Sequence, residues 1–256
     1  MNDLPVALTI AGSDSGGGAG IQADILTFAA CGVFATSAIT CVTSQNPSGV
    51  SGVHAVPGVF VRAQAEQVAG YFEVGAVKTG MLLNRDIIVA TAAFLHAHPD
   101  IPYVLDPVMV ATSGARLLDD DALEALVSLL APRATLVTPN LDEAAVLLGR
   151  RPESDADALE LAERLGVPVL VKGGHADTDE PLDILATPDA ETSVFRARRH
   201  PTVDTHGSGC TLAAAIAAHL AKKHSLPEAV AAAHAYLQRG IHRPIRVGGR
   251  EYIAHR

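Results

Sequence analysis

A glycine-rich turn begins at Asp204, reads Asp204-Thr205-His206-Gly207-Ser208-Gly209-Cys210-Thr211, and runs directly into an alanine-rich apolar segment at residues 212–220. The glycines predict a tight turn, and the apolar segment predicts the helix that follows it. The first amides of such a helix have no partner inside it, and its dipole favours negative charge at this end. The stretch is therefore either an anion-binding turn or a plain turn that only starts a helix.

Short runs of Val, Ile and Leu alternate with longer segments of helical period on the N-terminal side of this turn. This alternation is typical of βαβ units, so we predict an α/β fold with a central, mainly parallel sheet flanked by helices on both faces. The predicted strands are 6–10, 35–40, 75–78, 103–106, 135–138 and 167–172, and the helices between them are 21–30, 59–72, 86–96, 121–130, 141–148 and 155–165. An antiparallel pair at 182–186 and 192–196 and a last helix from 227 to about 240 complete the pattern. Without an internal repeat or a Pro-rich linker, one domain over residues 1–256 is expected.

The composition excludes several classes of protein. The 256 residues are 48% hydrophobic and carry a net charge of −9, which argues against a nucleic-acid or anionic-membrane partner. Cys31, Cys41 and Cys210 are odd in number and far apart, so we expect neither a disulfide framework nor a zinc site, and a reducing cytoplasm is the natural setting. We find no signal peptide and no apolar run of membrane-spanning length.

Unusual residues follow the predicted strands, where an open α/β sheet binds its ligands. The segments at these strand ends are Ala11-Gly12-Ser13-Asp14-Ser15-Gly16-Gly17-Gly18-Ala19-Gly20, Thr43-Ser44-Gln45-Asn46, Lys78-Thr79-Gly80-Met81, Asp106-Pro107-Val108-Met109, Thr138-Pro139-Asn140-Leu141-Asp142-Glu143 and Lys172-Gly173-Gly174-His175. The first of them has neither the dinucleotide spacing nor the Lys-Ser/Thr ending of a P-loop, so it is either a flexible loop or a loop packed against another kind of ligand.

Two of these segments offer hard oxygen ligands. Asn140 and Glu143 are three residues apart on the first turn of a predicted helix, where they either order Mg²⁺ and a triphosphate or form a capping box. Asp106, at another strand end, adds a carboxylate and favours the metal site. Lys172 either meets phosphate charge or is a surface lysine.

Cys210 and two histidines are the remaining candidates for chemistry. A helix N-terminus lowers a thiol pKa, so Cys210 is predicted to be a base or a hydrogen-bonding group, unless it is a small buried hydrophobe as we assign Cys31 and Cys41. His206 and His175 either contact phosphate or nucleotide or serve only as local hydrogen-bonding groups.

Together these segments and the opening turn resemble hydroxymethylpyrimidine and phosphomethylpyrimidine kinases of the ribokinase-like superfamily, which act in thiamine biosynthesis. The match runs in order from about residue 6 to residue 240. The resemblance implies a ribokinase-like fold, a homodimer, and the use of ATP and Mg²⁺ to phosphorylate 4-amino-5-hydroxymethyl-2-methylpyrimidine to its mono- and then its diphosphate. A pyridoxal kinase on the same scaffold, or a non-catalytic nucleotide-binding protein, are the alternatives.

The resemblance also implies roles for individual residues. Asp24 and Gln45 would hydrogen-bond the aminopyrimidine, in a pocket shaped by Gly12, Met81 and Val108. The ATP phosphates and Mg²⁺ would be organised by Asn140, Glu143, Lys172 and His206, with Asp106 and Glu143 as metal ligands. Gly207, Ser208, Gly209 and Cys210 would form an anion hole, with Cys210 at the position where sugar kinases of the superfamily place an aspartate base.

The chain departs from the family in three places. Ser208 replaces the usual threonine, Asn46-Pro47 stands where Asn-Thr is usual, and residues 246–252 lack the expected glycine-rich ending. We expect these changes to affect the segment after the second strand and the tail rather than the chemistry.

Overall fold

The computed structural model describes residues 3–109, 118, 120–174 and 180–256. The strands are β1 (Val6–Ala11), β2 (Phe34–Ile39), β3 (Cys41–Asn46), β4 (Gly49–Ala55), β5 (Val74–Thr79), β6 (Tyr103–Leu105), β7 (Leu136–Val137), β8 (Val169–Val171), β9 (Leu182–Ala186), β10 (Thr192–Arg196), β11 (Val203–Asp204), β12 (Ile245–Val247) and β13 (Arg250–Tyr252). The helices are α1 (Gly20–Ala30), α2 (Gly58–Ala69), α3 (Arg85–Ala97), α4 (Asp120–Ala125), α5 (Leu141–Leu148), α6 (Asp155–Leu165), α7 (Ser208–Ala221) and α8 (Leu226–His242).

The central sheet has the strand order β10-β9-β8-β7-β6-β5-β1-β2. Six neighbouring strands pair in parallel, in the order β2, β1, β5, β6, β7 and β8. The strands β9 and β10 continue the sheet in antiparallel pairing. Because the buried strands carry apolar side chains toward both faces, helices cover both faces. The predicted α/β fold with its mainly parallel sheet is confirmed, including the antiparallel pair at the edge.

Two hydrophobic clusters form the core, one on each face of the sheet. Along β6 the side chains alternate between them: Val104 packs with Phe28 of α1 and the alanines of α7, whereas Tyr103 and Leu105 pack with α2, α3 and α6. The alanine-rich sequence of α7 lets this helix lie close to the sheet, and its residues 211–218 are all buried. The glycine turn that starts α7 is thereby fixed against the carboxyl ends of the strands.

Helix ends and additional strands refine the prediction. Asn84 caps α3 by accepting a hydrogen bond from the Ile87 amide at 3.0 Å. The predicted helix at 121–130 is α4, which continues as a π-helical turn over Leu126–Leu130. Two small sheets were not predicted: the β3–β4 hairpin and the three-stranded sheet β11-β13-β12 near the chain end. No helix in the described ranges combines the length and apolarity needed to cross a bilayer.

Candidate active site

A cavity of about 610 Å³ lies at the carboxyl ends of the parallel strands. Its lining includes all but one of the predicted site residues: Gly12, Gln45, Met81, Asp106, Val108, Asn140, Glu143, Lys172, His206, Gly207, Ser208, Gly209 and Cys210. The parallel strands bring these residues together from positions almost 200 apart in the sequence. The exception among the predicted residues is Asp24.

The glycine turn at the start of α7 forms one wall of the cavity. Gly207 adopts a left-handed conformation with φ of 79°, and a Cβ on it would lie 1.9 Å from the carbonyl oxygen of Gly18. Glycine is therefore required at 207, both for the backbone conformation and for contact with the first glycine-rich loop. A Cβ on Gly209 would lie 3.1 Å from the Lys172 ammonium nitrogen. The helix amides and a lysine thus converge on the same space, as an anion-binding site requires.

Asp106 and Lys172 form an ion pair beside this turn, with 2.8 Å between Oδ1 and Nζ. Thr138 also hydrogen-bonds Asp106, at 3.3 Å. Burial would lower the pKa of the Lys172 ammonium, but the Asp106 and Glu143 carboxylates outweigh it and raise that pKa. Lys172 is therefore charged at neutral pH and positioned to meet an anion in the cavity.

Glu143 combines the two functions that the sequence left open. Its Oε2 accepts a hydrogen bond from the backbone N–H of Asn140 at 2.8 Å, and the side-chain oxygen of Asn140 accepts one from the backbone N–H of Glu143 at 2.9 Å. These two hydrogen bonds complete a capping box at the start of α5. Both residues also line the cavity. Burial raises the pKa of the Glu143 carboxyl to about 7, and the negative charge of Asp106 adds to this effect while Lys172 opposes it.

The carboxylates of Asp106 and Glu143 suit a hard divalent cation. With the Lys172 ammonium paired to Asp106, the two buried carboxylates leave one excess negative charge when both are ionised. Mg²⁺ usually binds one or two carboxylates and takes its other ligands from water and substrate phosphates. Among the described residues no group of three or more His, Cys, Asp or Glu side chains is arranged to hold a metal alone. A pair of carboxylates is a ligand set that would fit Mg²⁺ arriving with the phosphates of a nucleotide.

The structure corrects the expected pKa of Cys210. The thiol lies at the third position of α7, but burial raises its pKa to about 11, with the Lys78 ammonium opposing this effect. Desolvation therefore outweighs the Lys78 ammonium, and the expected lowering of the thiol pKa is wrong. Cys210 carries its proton at neutral pH and is not a ready base. Cys31 and Cys41 are buried thiols, as their assignment requires.

Asp24 lies beneath the cavity rather than in its wall. Its side chain is fully buried, both carboxylate oxygens lie 2.9 Å from the Lys78 ammonium nitrogen, and Thr9 donates to Oδ2 at 2.6 Å. The resemblance implies that Asp24 hydrogen-bonds the substrate in the cavity. In the structure its carboxylate is instead paired with Lys78 of β5. Burial would lower the pKa of Lys78, but Asp24, followed by Cys210 and Asp106, outweighs it and raises that pKa.

His206 lies beside Gln45 in the lining of the cavity. Its Nε2 is 3.2 Å from Oδ2 of Asp14 and 3.3 Å from the amide nitrogen of Gln45. Ser15 joins the first glycine-rich loop to the hairpin by donating to the Gln45 carbonyl at 2.7 Å. The other histidine candidate, His175, lies outside the described residues.

Several residues of the site were not singled out from the sequence. Lys78 and Asp14 are the most informative of them. Lys78 lies near the end of the buried, mainly apolar strand β5, where a lysine indicates a buried partner. Asp14 accepts hydrogen bonds from three backbone amides of its own glycine-rich loop. The far half of the cavity is lined by residues that no motif predicted, namely Pro181, Asp183, Ala197, Arg198, Arg199, His200, Pro201, Val203, Leu237, Gln238 and Ile241.

A parallel sheet with a helix amide cradle, a lysine and two carboxylates at one cavity is the arrangement that the resemblance to small-molecule kinases of ribokinase-like fold implies. Residues 14–255 match the model of the phosphomethylpyrimidine kinase family. A hydroxymethylpyrimidine/phosphomethylpyrimidine kinase of Rhizobium meliloti is 50% identical over 242 residues, which is 92% of this chain and 90% of that protein. The chain therefore belongs to the phosphomethylpyrimidine kinase family.

Two solved structures extend the comparison. The ADP complex of Bacillus subtilis pyridoxal kinase has a TM-score of 0.89 and 34% identity, covering 99% of this chain and 98% of the other. A phosphomethylpyrimidine kinase of Clostridium difficile has a TM-score of 0.81 and 37% identity, covering 93% and 100%. The fold thus occurs in a pyridoxal kinase and in a phosphomethylpyrimidine kinase.

Proposed function

We propose that this enzyme transfers the γ-phosphoryl group of ATP to 4-amino-5-hydroxymethyl-2-methylpyrimidine, and then a second phosphoryl group to the resulting monophosphate. One observation carries the proposal: a single cavity joins the amide cradle of α7 to Gln45 and Met81 on one side and to Lys172, Asp106 and Glu143 on the other. Its volume of about 610 Å³ suits a small ring beside a nucleotide phosphate chain.

The ring would occupy the side formed by Gly12, Gln45, Met81 and Val108. Gln45 offers an amide that can donate and accept, while Met81 and Val108 supply apolar contacts to the ring. Gly12 leaves room for this contact, since a Cβ there would lie 2.7 Å from the Cys41 sulfur and 3.6 Å from the Met81 sulfur. Asp24 supports this floor from below through Lys78 and does not contact the ring directly.

The phosphates of ATP would occupy the cradle and the Lys172 side. Asp106 and Glu143 would hold Mg²⁺ there, which neutralises phosphate charge when bound. The alcohol oxygen attacks the γ-phosphorus, the bond from phosphorus to the ADP oxygen breaks so that ADP leaves, and the alcohol proton moves to an oxygen of the transferred phosphoryl group. Such a loose transition state needs charge neutralisation more than a strong base, which agrees with the protonated thiol of Cys210.

A coupled assay of ADP release tests the proposal directly. Purified enzyme with ATP and Mg²⁺ is given the pyrimidine alcohol, its monophosphate or pyridoxal, and the products are identified by mass spectrometry. We expect turnover of both pyrimidines and its loss when EDTA removes the metal. Turnover of pyridoxal with a higher kcat/KM than the pyrimidine alcohol would replace this proposal by the pyridoxal kinase alternative, which the structural similarity to the Bacillus subtilis enzyme favours.

We also propose that the enzyme is a cytoplasmic homodimer. The three cysteines are free thiols, which suits a reducing compartment. Light scattering coupled to size-exclusion chromatography should give twice the chain mass of 26.5 kDa. A mass that stays at one chain at micromolar concentration would contradict the dimer.

A further inference from the structure

Three segments of the chain meet at the ring of His206. The first glycine-rich loop contributes Asp14, the β3–β4 hairpin contributes Gln45, and the turn before α7 contributes His206 itself. The side chain of His206 is 19% exposed and that of Asp14 is 4% exposed. Asp14 is therefore shielded from bulk water and has to find its hydrogen bonds within the protein, whereas His206 and Gln45 are partly exposed.

Asp14 decides which atom of the ring carries a proton. Burial alone would raise the pKa of Asp14, but hydrogen bonds from His206 and from the amides of Gly16 and Ala19 lower it below its ordinary value. The carboxylate is therefore ionised and can only accept. Since its Oδ2 lies 3.2 Å from Nε2 of His206, this ring nitrogen has to donate. This holds for the charged ring and for the neutral ring, because both can carry a proton on Nε2.

The same ring nitrogen faces the side-chain amide of Gln45 at 3.3 Å. A protonated Nε2 repels the amide NH₂ and attracts the amide oxygen. The nitrogen and oxygen of a glutamine amide exchange places by a half-turn about the last side-chain bond, and the surrounding hydrogen bonds decide between the two orientations. With Asp14 fixing the proton on Nε2, the favoured orientation turns the oxygen to His206 and the NH₂ to the cavity, which Gln45 lines.

We propose that His206 is a positioning residue that, held by Asp14, fixes the direction of the Gln45 amide so that the cavity offers a hydrogen-bond donor to the substrate ring. The substrate class selected is an aromatic ring with an acceptor nitrogen at that edge. Among the described residues, Asp204 is a second acidic group near the ring: it accepts the His206 backbone amide at 2.9 Å and also raises the pKa of His206, behind the larger effect of Asp14. This inference rests on the proposed function, because it assumes that the ring binds beside Gln45.

Variants of His206 separate a positioning role from a merely structural one. His206→Gln keeps an NH₂ donor close to the position of Nε2, and His206→Phe removes it. We expect His206→Phe to raise KM for the pyrimidine alcohol about tenfold, the loss of roughly one hydrogen bond, with KM for ATP unchanged. His206→Gln should stay within about twofold of the wild type. His96→Phe, on the exposed last turn of α3, is the matched control and should leave both constants unchanged.

The effect has to pass through Gln45. In a Gln45→Met background, His206→Phe should cause no further rise in KM, because no amide is left to orient. Gln45→Glu should itself raise KM about tenfold or more, since the carboxylate accepts from His206 but offers the cavity no donor. Any one of three results would overturn the proposal. They are an unchanged or lower KM for the pyrimidine in Gln45→Glu, the full effect of His206→Phe in the Gln45→Met background, and a rise in KM for ATP rather than for the pyrimidine in His206→Phe.

A measurement without substrate completes the test. In ¹⁵N-histidine-labelled enzyme, the Nε2 signal that disappears in His206→Gln identifies this ring, and we expect its shift to show a bound proton from pH 6 to pH 8. An Nε2 without a proton contradicts the inference even if the enzyme phosphorylates the pyrimidine. Failure of the wild-type enzyme to phosphorylate any pyrimidine, with a protonated Nε2, would instead count against the proposed function alone.

Discussion

Replacement of Asp24 by Asn separates a structural role from contact with the substrate. The change removes the carboxylate from a fully buried ammonium, since the side chains of Asp24 and Lys78 both have 0% exposure and lie 2.9 Å apart. Breaking a buried pair in this way costs about 3–5 kcal/mol, because the remaining charge is left without compensation. For a chain of this size, each kcal/mol corresponds to roughly 2–4 °C in Tm. We therefore expect Tm to fall by roughly 6–20 °C.

The assay combines thermal unfolding of the free enzyme with steady-state kinetics well below the new Tm. Adding Lys78→Met to Asp24→Asn should recover at least about 1 kcal/mol in the free energy of unfolding, since an apolar group replaces the uncompensated charge. Asp142→Asn is the matched control: its partner is Arg151, both side chains are more than half exposed, and the expected cost is below about 1 kcal/mol. A Tm within 2 °C of the wild type, together with a large rise in KM for the pyrimidine, would refute the structural role and place Asp24 against the ring.

Three further results are expected. Glu143→Gln should lower kcat on the order of 10²-fold through the lost charge with little loss of stability, because Gln also completes a capping box; Glu228→Gln, the same change in the capping box of α8, should leave both stability and kcat nearly unchanged, as thermal unfolding and the ADP assay will show. Gly207→Ala should abolish measurable turnover because its Cβ clashes with a carbonyl, whereas Gly166→Ala, also left-handed but with open space around the Cβ, should cost about 1 kcal/mol and leave kcat unchanged. Alkylation of Cys210, followed by mass spectrometry, should be on the order of 10²-fold slower than that of glutathione at pH 7, because the thiol pKa is about 11. The alkylation rate should rise about tenfold per pH unit up to pH 9. Fast labelling at pH 7 would show that the thiolate is already formed.

The sheet could be predicted because its signals are local. Every predicted strand of the central sheet lies within a few residues of an observed one, since buried parallel strands are short apolar runs between helical segments. The β3–β4 hairpin was not predicted, although the turn at Asn46-Pro47-Ser48-Gly49 lies between its strands. Its strands are polar and partly exposed, with an intermediate or exposed side chain at every position but Cys41, so they lack the apolar run on which the prediction depends.

The roles of charged residues were harder to predict than their position at the sheet edge. The sequence places Asp24 on the helix behind the first glycine-rich loop, but only the fold brings Lys78, 54 residues away, into contact with it. Similarly, the sequence places Cys210 at a helix N-terminus and predicts a lowered pKa. The opposite direction arises from burial and from the Asp106 and Asp24 carboxylates, which only the fold brings close to the thiol.

Charge balance explains how the floor of the cavity tolerates so many ionisable groups. The pairs Asp24–Lys78 and Asp106–Lys172 each cancel when their carboxylates are ionised; burial raises the pKa of Asp24, which the Lys78 ammonium and the Thr9 hydroxyl oppose. Both lysines have raised pKa values, and the nearby Cys210 thiol is neutral at pH 7 because its pKa is about 11. Glu143 is the group left over, and its pKa of about 7 shows that the free site carries this last negative charge only in part. A cation that binds with the nucleotide would lower that pKa and release the proton, so binding of the magnesium nucleotide near pH 7 should release up to one proton, which calorimetry in buffers of different ionisation enthalpy would detect. Glu143→Gln should abolish this release, and an unchanged release in that variant would mean that another group balances the charge.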